Sequence, residues 1–420
     1  MNLECVEIRG GKPLYGRVEI QGSKNAVLPI LAACILHEGT SRIDHCPRIQ
    51  DVFDTIMILR FLGCRVWWED QCLAVDASKV SRCKIPAQIA SRMRSSVLFL
   101  GALLGRMGRA QLPYPGGCVL GSRPIDLHIA AINELGAKVE EKEGCIFAEG
   151  RMLKGKEITL RFPSVGATEN IILAAARAQG ITVINNAARE PEIGELCRFL
   201  QKMGVDIREF SGGRIEIAGE TCLQDPKHDL VADRIVAGTY LLAAAITGGR
   251  ITISRMPQEH METVTALLKN MGIGIEKHGC DVLVDGSRKR RGIELLETAP
   301  YPGFPTDLQS PLMALLAVTE GESRIKENIF EDRFKTAQQL NAMGANIKVR
   351  EKEAVIRGVP TLYGTRVEAG ELRGAAALFL AGLIAEGTTT ICSCHYISRG
   401  YENICGVLTS LGAEIEELCN

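Results

Sequence analysis

Apolar residues in this chain come in runs that are greasy on every side, such as Ala26–Ala33, Val97–Leu104 and Ala375–Ile384. Each run gives way to a glycine and then to a short alternating segment such as Ile251–Ser254. A helix that is apolar all round belongs inside a core, and alternation fits a strand with one buried face. One series of glycines stands at Gly63, Gly136, Gly204, Gly272, Gly344 and Gly412, with intervals of 73, 68, 68, 72 and 68 residues. A second series, Gly39, Gly108, Gly180, Gly249, Gly321 and Gly387, keeps the same time. The pattern predicts an α/β chain of six copies of one unit of roughly 70 residues. Each unit is expected to run helix, strand, longer helix, strand, with the apolar helices inside and the sheets outside them.

At 420 residues the chain exceeds what one core usually holds, so six units divide as three plus three. The expected domains are 22–230, and 1–21 together with 231–420, with Gln224–Asp229 as a connector. Because Cys5–Ile8 and Gly16–Ile20 read as strands ahead of the first helix, the N-terminal segment is expected to complete the sheet of the last unit.

Aligning the copies puts Lys24, Arg94, Ser164, Arg234, Asp307 and Arg373 at nearly one place, at intervals of 70, 70, 70, 73 and 66 residues. Each opens an apolar helix. A helix N-terminus presents free N–H groups and a positive dipole end, which favour anions. Two readings stand for these residues: caps of their own helices, or groups that meet a phosphorylated or carboxylated ligand. Asp307 has the same two readings, a capping carboxylate or a general base for a hydroxyl.

Composition narrows the class. The net charge of −1 gives no bulk attraction to nucleic acid or to an anionic membrane. No apolar run has the length of a membrane span. Fifteen scattered cysteines read as reduced thiols in a cytoplasmic protein. Gln21–Ala26 lacks the spacing of a nucleotide-binding phosphate loop. Cys392–His395 lacks a second ligand pair, so no metal is expected. Pro113–Pro124 is rich in glycine and proline and carries Cys118 near Arg123, a setting that suits a partly exposed, reactive thiol. Ala188–Glu192 and Phe330–Phe334 read as solvated charged turns.

Taken in order, Gly22-Ser-Lys-Asn-Ala26, Pro115-Gly-Gly-Cys118, Gly121-Ser-Arg-Pro124 with Asp126-Leu-His128, Ser164-Val-Gly-Ala-Thr168, Ala188-Arg-Glu-Pro-Glu192, Phe304-Pro-Thr-Asp307, Phe330-Glu-Asp-Arg333 and Ser398-Arg-Gly-Tyr401 resemble one family over essentially the whole chain. It is the UDP-N-acetylglucosamine enolpyruvyl transferases. The resemblance implies two inside-out α/β domains, each of three units, closing on a sugar nucleotide. It implies enolpyruvyl transfer from phosphoenolpyruvate to the 3′-hydroxyl of UDP-N-acetylglucosamine, the first committed step of peptidoglycan synthesis, with no cofactor.

By the family pattern Lys24, Arg94, Arg123 and Arg399 hold phosphoenolpyruvate. Asn25, Pro124, Ile125, Asp126, Leu127, Ser164, Gly166, Asp307 and Ile329 contact the UDP-sugar. Asp307 takes the hydroxyl proton, and Cys118 serves proton transfer or product release and is the thiol alkylated by fosfomycin. Two departures stand out. Glu371-Leu-Arg373 replaces the usual Asp-Leu-Arg, which lengthens a proton-handling carboxylate beside Arg373 by one methylene, and Phe162 stands where many members have a lysine. The alternatives are enolpyruvyl transfer to shikimate 3-phosphate and a non-catalytic repeat array. The oligomeric state is not legible from the sequence.

Overall fold

The computed structural model describes residues 4–116, 124–220 and 222–418. They form two compact units, one of residues 22–116 and 124–231, the other of residues 4–21 and 232–418. Each unit has its own hydrophobic core.

Within the first unit three apolar helices lie innermost: Lys24–Ala33, Phe99–Met107 and Val165–Ala175. In the second they are Arg234–Thr247, Gln309–Ala317 and Leu372–Gly382. Arg234 through Ile246 are all buried, and so is every residue of Gln309–Ala317. Burying each Leu or Ile side chain contributes about 1.5–3 kcal/mol, so these helices gain stability from the core on every face. Outer helices such as Pro191–Lys202 instead bury one side, through Ile193, Leu196, Cys197, Phe199 and Leu200.

Small sheets cover the helices, and the repeat is visible in their order. In the fifth copy Leu296–Glu297 runs parallel to Glu322–Lys326, which pairs antiparallel with Glu353–Arg357, which in turn pairs with Asn346–Arg350. The third copy repeats this with Glu157–Thr159, Ile181–Asn185, Arg214–Ala218 and Asp206–Phe210. In the sixth copy the place of the third strand is taken by Cys5–Arg9, which sits between Thr388–Cys392 and Glu414–Leu418, antiparallel to both. Tyr15–Glu19, expected beside it in the sheet of the last unit, instead closes the fourth sheet in parallel with Arg250–Ser254.

Three further expectations need correction. The second helix of a unit is not regularly the longer one, since Arg234–Thr247 has 14 residues and its outer partner Glu262–Asn270 has 9. Each unit also ends in a hairpin of two strands rather than a single strand, except where Cys5–Arg9 supplies the missing one. The stretch read as a connector contains a strand, Lys227–Asp229, which runs parallel to Arg42–Asp44 and completes the first sheet. Its residues alternate exposed, buried, exposed, a pattern too short to register against the polar residues around it.

The first glycine series owes its beat to backbone geometry. Gly63, Gly136, Gly204, Gly272, Gly344 and Gly412 all have positive φ, between 91° and 114°, the conformation that ends a helix at no steric cost only for glycine. The second series is less uniform: Gly248, not Gly249, takes the left-handed place after its helix.

Candidate functional site

In each unit polar and charged side chains gather at the N-termini of the inner helices. In the unit of residues 22–231, Ser23 caps the first helix by accepting from the Ala26 N–H at 3.4 Å. The next residue, Lys24, is buried, and its Nζ lies 2.7 Å from Asp51 Oδ2, itself buried on the outer helix Gln50–Leu62. Asn25 follows, half-buried. Ser164 caps its helix in the same way, accepting from the Ala167 N–H at 3.4 Å. Thus Ser164 is a cap in geometry, whatever else it meets. Arg94 opens a turn of 3-10 helix ahead of Phe99–Met107, and its Nη2 reaches the Pro124 carbonyl at 3.5 Å.

Pro124 is exposed, Ile125 buried, and Asp126 and Leu127 half-buried at the start of the helix Asp126–Glu134. Asp126 forms an ion pair with Arg161. Behind them lies a buried polar network that the sequence reading quoted only in part. Asn170 accepts from the Gly101 N–H at 2.7 Å, donates to the Val97 carbonyl at 3.0 Å, and stands 2.7 Å from His128 Nδ1. A Cβ at Gly166 would sit 3.0 Å from the His128 ring. The glycine therefore leaves room for the imidazole at the helix start. Glu169, buried one turn on, has its carboxyl pushed well above the usual carboxylate range by burial and then by Glu192 and Glu190. Cys118 and Arg123 lie outside the described residues.

In the other unit the three helix starts are acidic as well as basic. Asp233 caps Arg234–Thr247, its Oδ1 accepting from Ile235 and Val236 N–H at 2.8 and 3.0 Å. Glu371 caps Leu372–Gly382, accepting from the Arg373 N–H at 2.7 Å and the Gly374 N–H at 2.5 Å. Asp307, in the turn ahead of Gln309–Ala317, is held on both oxygens: Oδ1 accepts from Arg333 at 2.7 Å and Oδ2 from Arg373 at 2.8 Å. Burial pushes the Asp307 carboxyl up, but Arg373, Arg333 and the charge of Arg234 overcome it and hold the pKa far below the usual carboxylate range. Arg373 is disfavoured by burial, yet Asp307 raises its pKa above the ordinary guanidinium value.

Phe330–Phe334 is therefore solvated only in part: Glu331 and Asp332 are exposed, but Arg333 is buried, and it also lies 3.6 Å from Glu371. Ala188–Glu192 likewise buries Glu192 at the start of an outer helix. The charge partner of the Glu371 carboxylate is Arg333, not the Arg373 guanidinium. Glu327, which the sequence reading missed, is buried and sets the neighbourhood. One of its oxygens accepts from Ile329 and Phe330 N–H at 2.8 and 3.1 Å, and the other accepts from the Thr306 hydroxyl at 3.0 Å. Arg399 stands half-buried at the end of a 3-10 turn, Cys394–Arg399. Chemically, this half offers guanidinium charges for an anion and a carboxylate whose basicity those charges control.

Two bodies of inside-out α/β repeats, each with its polar groups gathered at the starts of three buried helices, define the class of the enolpyruvyl transferases. A family model described as EPSP synthase (3-phosphoshikimate 1-carboxyvinyltransferase) matches residues 8–408. The protein named UDP-N-acetylglucosamine 1-carboxyvinyltransferase 2 of Caldanaerobacter subterraneus subsp. tengcongensis is 46% identical over 409 residues, covering 97% of this chain and 98% of that one. UDP-N-acetylglucosamine 1-carboxyvinyltransferase 1 of Symbiobacterium thermophilum is 46% identical over 417 residues, 98% of this chain and 94% of that one. The solved enolpyruvyl transferase NikO from Streptomyces tendae matches with a TM-score of 0.89 at 26% identity, over 98% of both chains. The chain belongs to the UDP-N-acetylglucosamine 1-carboxyvinyltransferases within the EPSP synthase family.

Proposed function

We propose that this enzyme transfers enolpyruvate from phosphoenolpyruvate to the 3′-hydroxyl of UDP-N-acetylglucosamine and releases phosphate. The observation that carries the reading is identity of 42–46% along nearly the full chain to relatives bearing the name of that reaction. Protonation of the methylene carbon makes an oxocarbenium-like centre, the hydroxyl attacks it, and the tetrahedral ketal expels phosphate as a methyl proton is lost. The bonds balance without a metal or an organic cofactor.

In this reading Lys24, Arg94, Arg123 and Arg399 hold the carboxylate and phosphate, by position and electrostatics. Asn25, Pro124, Ile125, Asp126, Leu127, Ser164, Gly166 and Ile329 contact the UDP-sugar, Cys118 serves proton transfer, and Glu371 handles the methyl proton. Asp307 takes the hydroxyl proton, which its present pairing opposes, because a general base works best with a pKa near the working pH. An anionic substrate that draws Arg373 toward itself lifts that opposition, so Arg373 couples anion binding to the basicity of Asp307. A cytoplasmic location and small-molecule partners, with neither nucleic acid nor membrane, belong to the same proposal.

The test is phosphate release from phosphoenolpyruvate with either acceptor. Release with UDP-N-acetylglucosamine and none with shikimate 3-phosphate is expected, and the reverse preference overturns the reading. Fosfomycin is expected to add once, at Cys118, and faster with the sugar nucleotide present. A label mapped to another cysteine removes Cys118 from the site.

A further inference from the structure

The sheet of the sixth repeat holds a pair of thiols that the reaction does not use. Cys5, the first residue of Cys5–Arg9, stands directly opposite Cys392, the last residue of Thr388–Cys392, and their Sγ atoms are 3.0 Å apart. In the same ladder the Gly10 N–H donates to the Gly387 carbonyl. Antiparallel pairs alternate between hydrogen-bonded and non-hydrogen-bonded kinds, so Cys5 and Cys392 form a non-hydrogen-bonded pair, with Cα atoms about 4.5 Å apart. That spacing lies within the Cα range of about 4.4–6.8 Å that a disulfide spans. The neighbouring thiol is engaged elsewhere: Cys394 is buried and donates to the Ile391 carbonyl at 3.1 Å. Among the described residues no group of three or more such side chains is arranged to hold a metal ion.

We infer that Cys5 and Cys392 are a redox-reversible pair that closes to an intrachain disulfide and staples the N-terminal strand into the sixth sheet. Cys5 is half-exposed and Cys392 buried, which gives the order of events. With a low-molecular-weight disulfide as oxidant, the Cys5 thiolate attacks one sulfur, forms a mixed disulfide and releases one small thiolate. The Cys392 thiolate then attacks Cys5 Sγ and expels the second. The protein loses two electrons and two protons, and the small disulfide becomes two thiols. Burial and the contact with Cys5 push the Cys392 thiol up to about 11, so closure speeds up as pH rises. The strand that closes the last sheet comes from the opposite end of the chain, and the staple ties those two ends together.

The full chain, reduced and then incubated with oxidised glutathione, tests this by peptide mapping after free thiols are blocked. A peptide linking Cys5 to Cys392, lost on treatment with dithiothreitol and formed faster at pH 9 than at pH 7, is expected. Cys392→Ser should leave Cys5 as a stable glutathione adduct, and Cys394→Ser should form the link unchanged. A stable adduct at Cys5 in the unmutated protein, or a link from Cys5 to Cys394 or any other thiol, overturns the inference. Mapping the unmutated chain decides the matter even if a variant fails to fold.

Discussion

Arg373 Nη2 meets Asp307 Oδ2 at 2.8 Å although 66 residues separate them in the chain. The pair joins the starts of two inner helices and leaves the carboxylate between two guanidinium groups, with Arg333 on its other oxygen. Such a carboxylate is held firmly in its ionised form and is a weak base until one of its partners is drawn away.

Asp307→Asn should lower turnover by about 10²-fold or more if the group accepts the hydroxyl proton. It should also destabilise the fold, because two buried guanidinium groups lose their shared counter-charge. The folded pKa lies below the ordinary 3.8, so this stabilisation is present above that value and is lost as pH falls through and below it. The gap in urea midpoint between the two proteins should therefore narrow from about pH 5 to about pH 3. A gap that does not change with pH argues against the ion pair.

Glu371 has two jobs to separate. Glu371→Ala removes the side-chain cap of Leu372–Gly382 and should cost about 1 kcal/mol of stability. Glu371→Gln keeps an acceptor at the cap, so it should change stability less while lowering turnover by about 10²-fold or more. Glu371→Asp should cost less turnover than Gln. If Gln turns over at the unmutated rate, Glu371 is a cap and a partner of Arg333 only.

Lys24 and Asp51 are both buried, so removing either charge takes a close counter-charge from the other in a poorly solvated place. Lys24→Met and Asp51→Asn should each destabilise by about 3 kcal/mol or more, and the double variant by clearly less than the sum. Urea unfolding measures all three. Strict additivity would mean that the two residues do not interact.

Glu169 predicts the opposite pH trend to Asp307. Its carboxyl is raised in the folded state, so the stability it lends is present below the ordinary value of 4.5 and is lost as pH rises through the folded pKa. Glu169→Gln, which keeps the shape, should therefore gain on the unmutated protein between about pH 5 and about pH 8. Equal differences in unfolding free energy at both pH values would refute the buried, protonated state.

The sequence by itself determined the repeat, because each copy must bury an all-apolar helix and then turn at a glycine with positive φ, and both demands write a period into the chain. It also placed Lys24, Asp307 and Arg373 at helix starts, where the backbone dipole acts. What those side chains touch was decided only by the tertiary structure. Asp51 is 27 residues from Lys24, Arg333 is 26 from Asp307, and Glu327 reaches Thr306 across 21. Phe330-Glu-Asp-Arg333 reads as solvated because charge is normally exposed. Only its Arg333 is buried, because packing the helices side by side brings their polar starts together and Asp307 and Glu371 meet its charge there, while Glu331 and Asp332 stay exposed. The strand Lys227–Asp229 has the same origin, since which sheet lacks a strand is written in no local pattern. The N-terminal strand was legible as a member of the last sheet, but its register, which sets Cys5 beside Cys392, came only from the pairing itself.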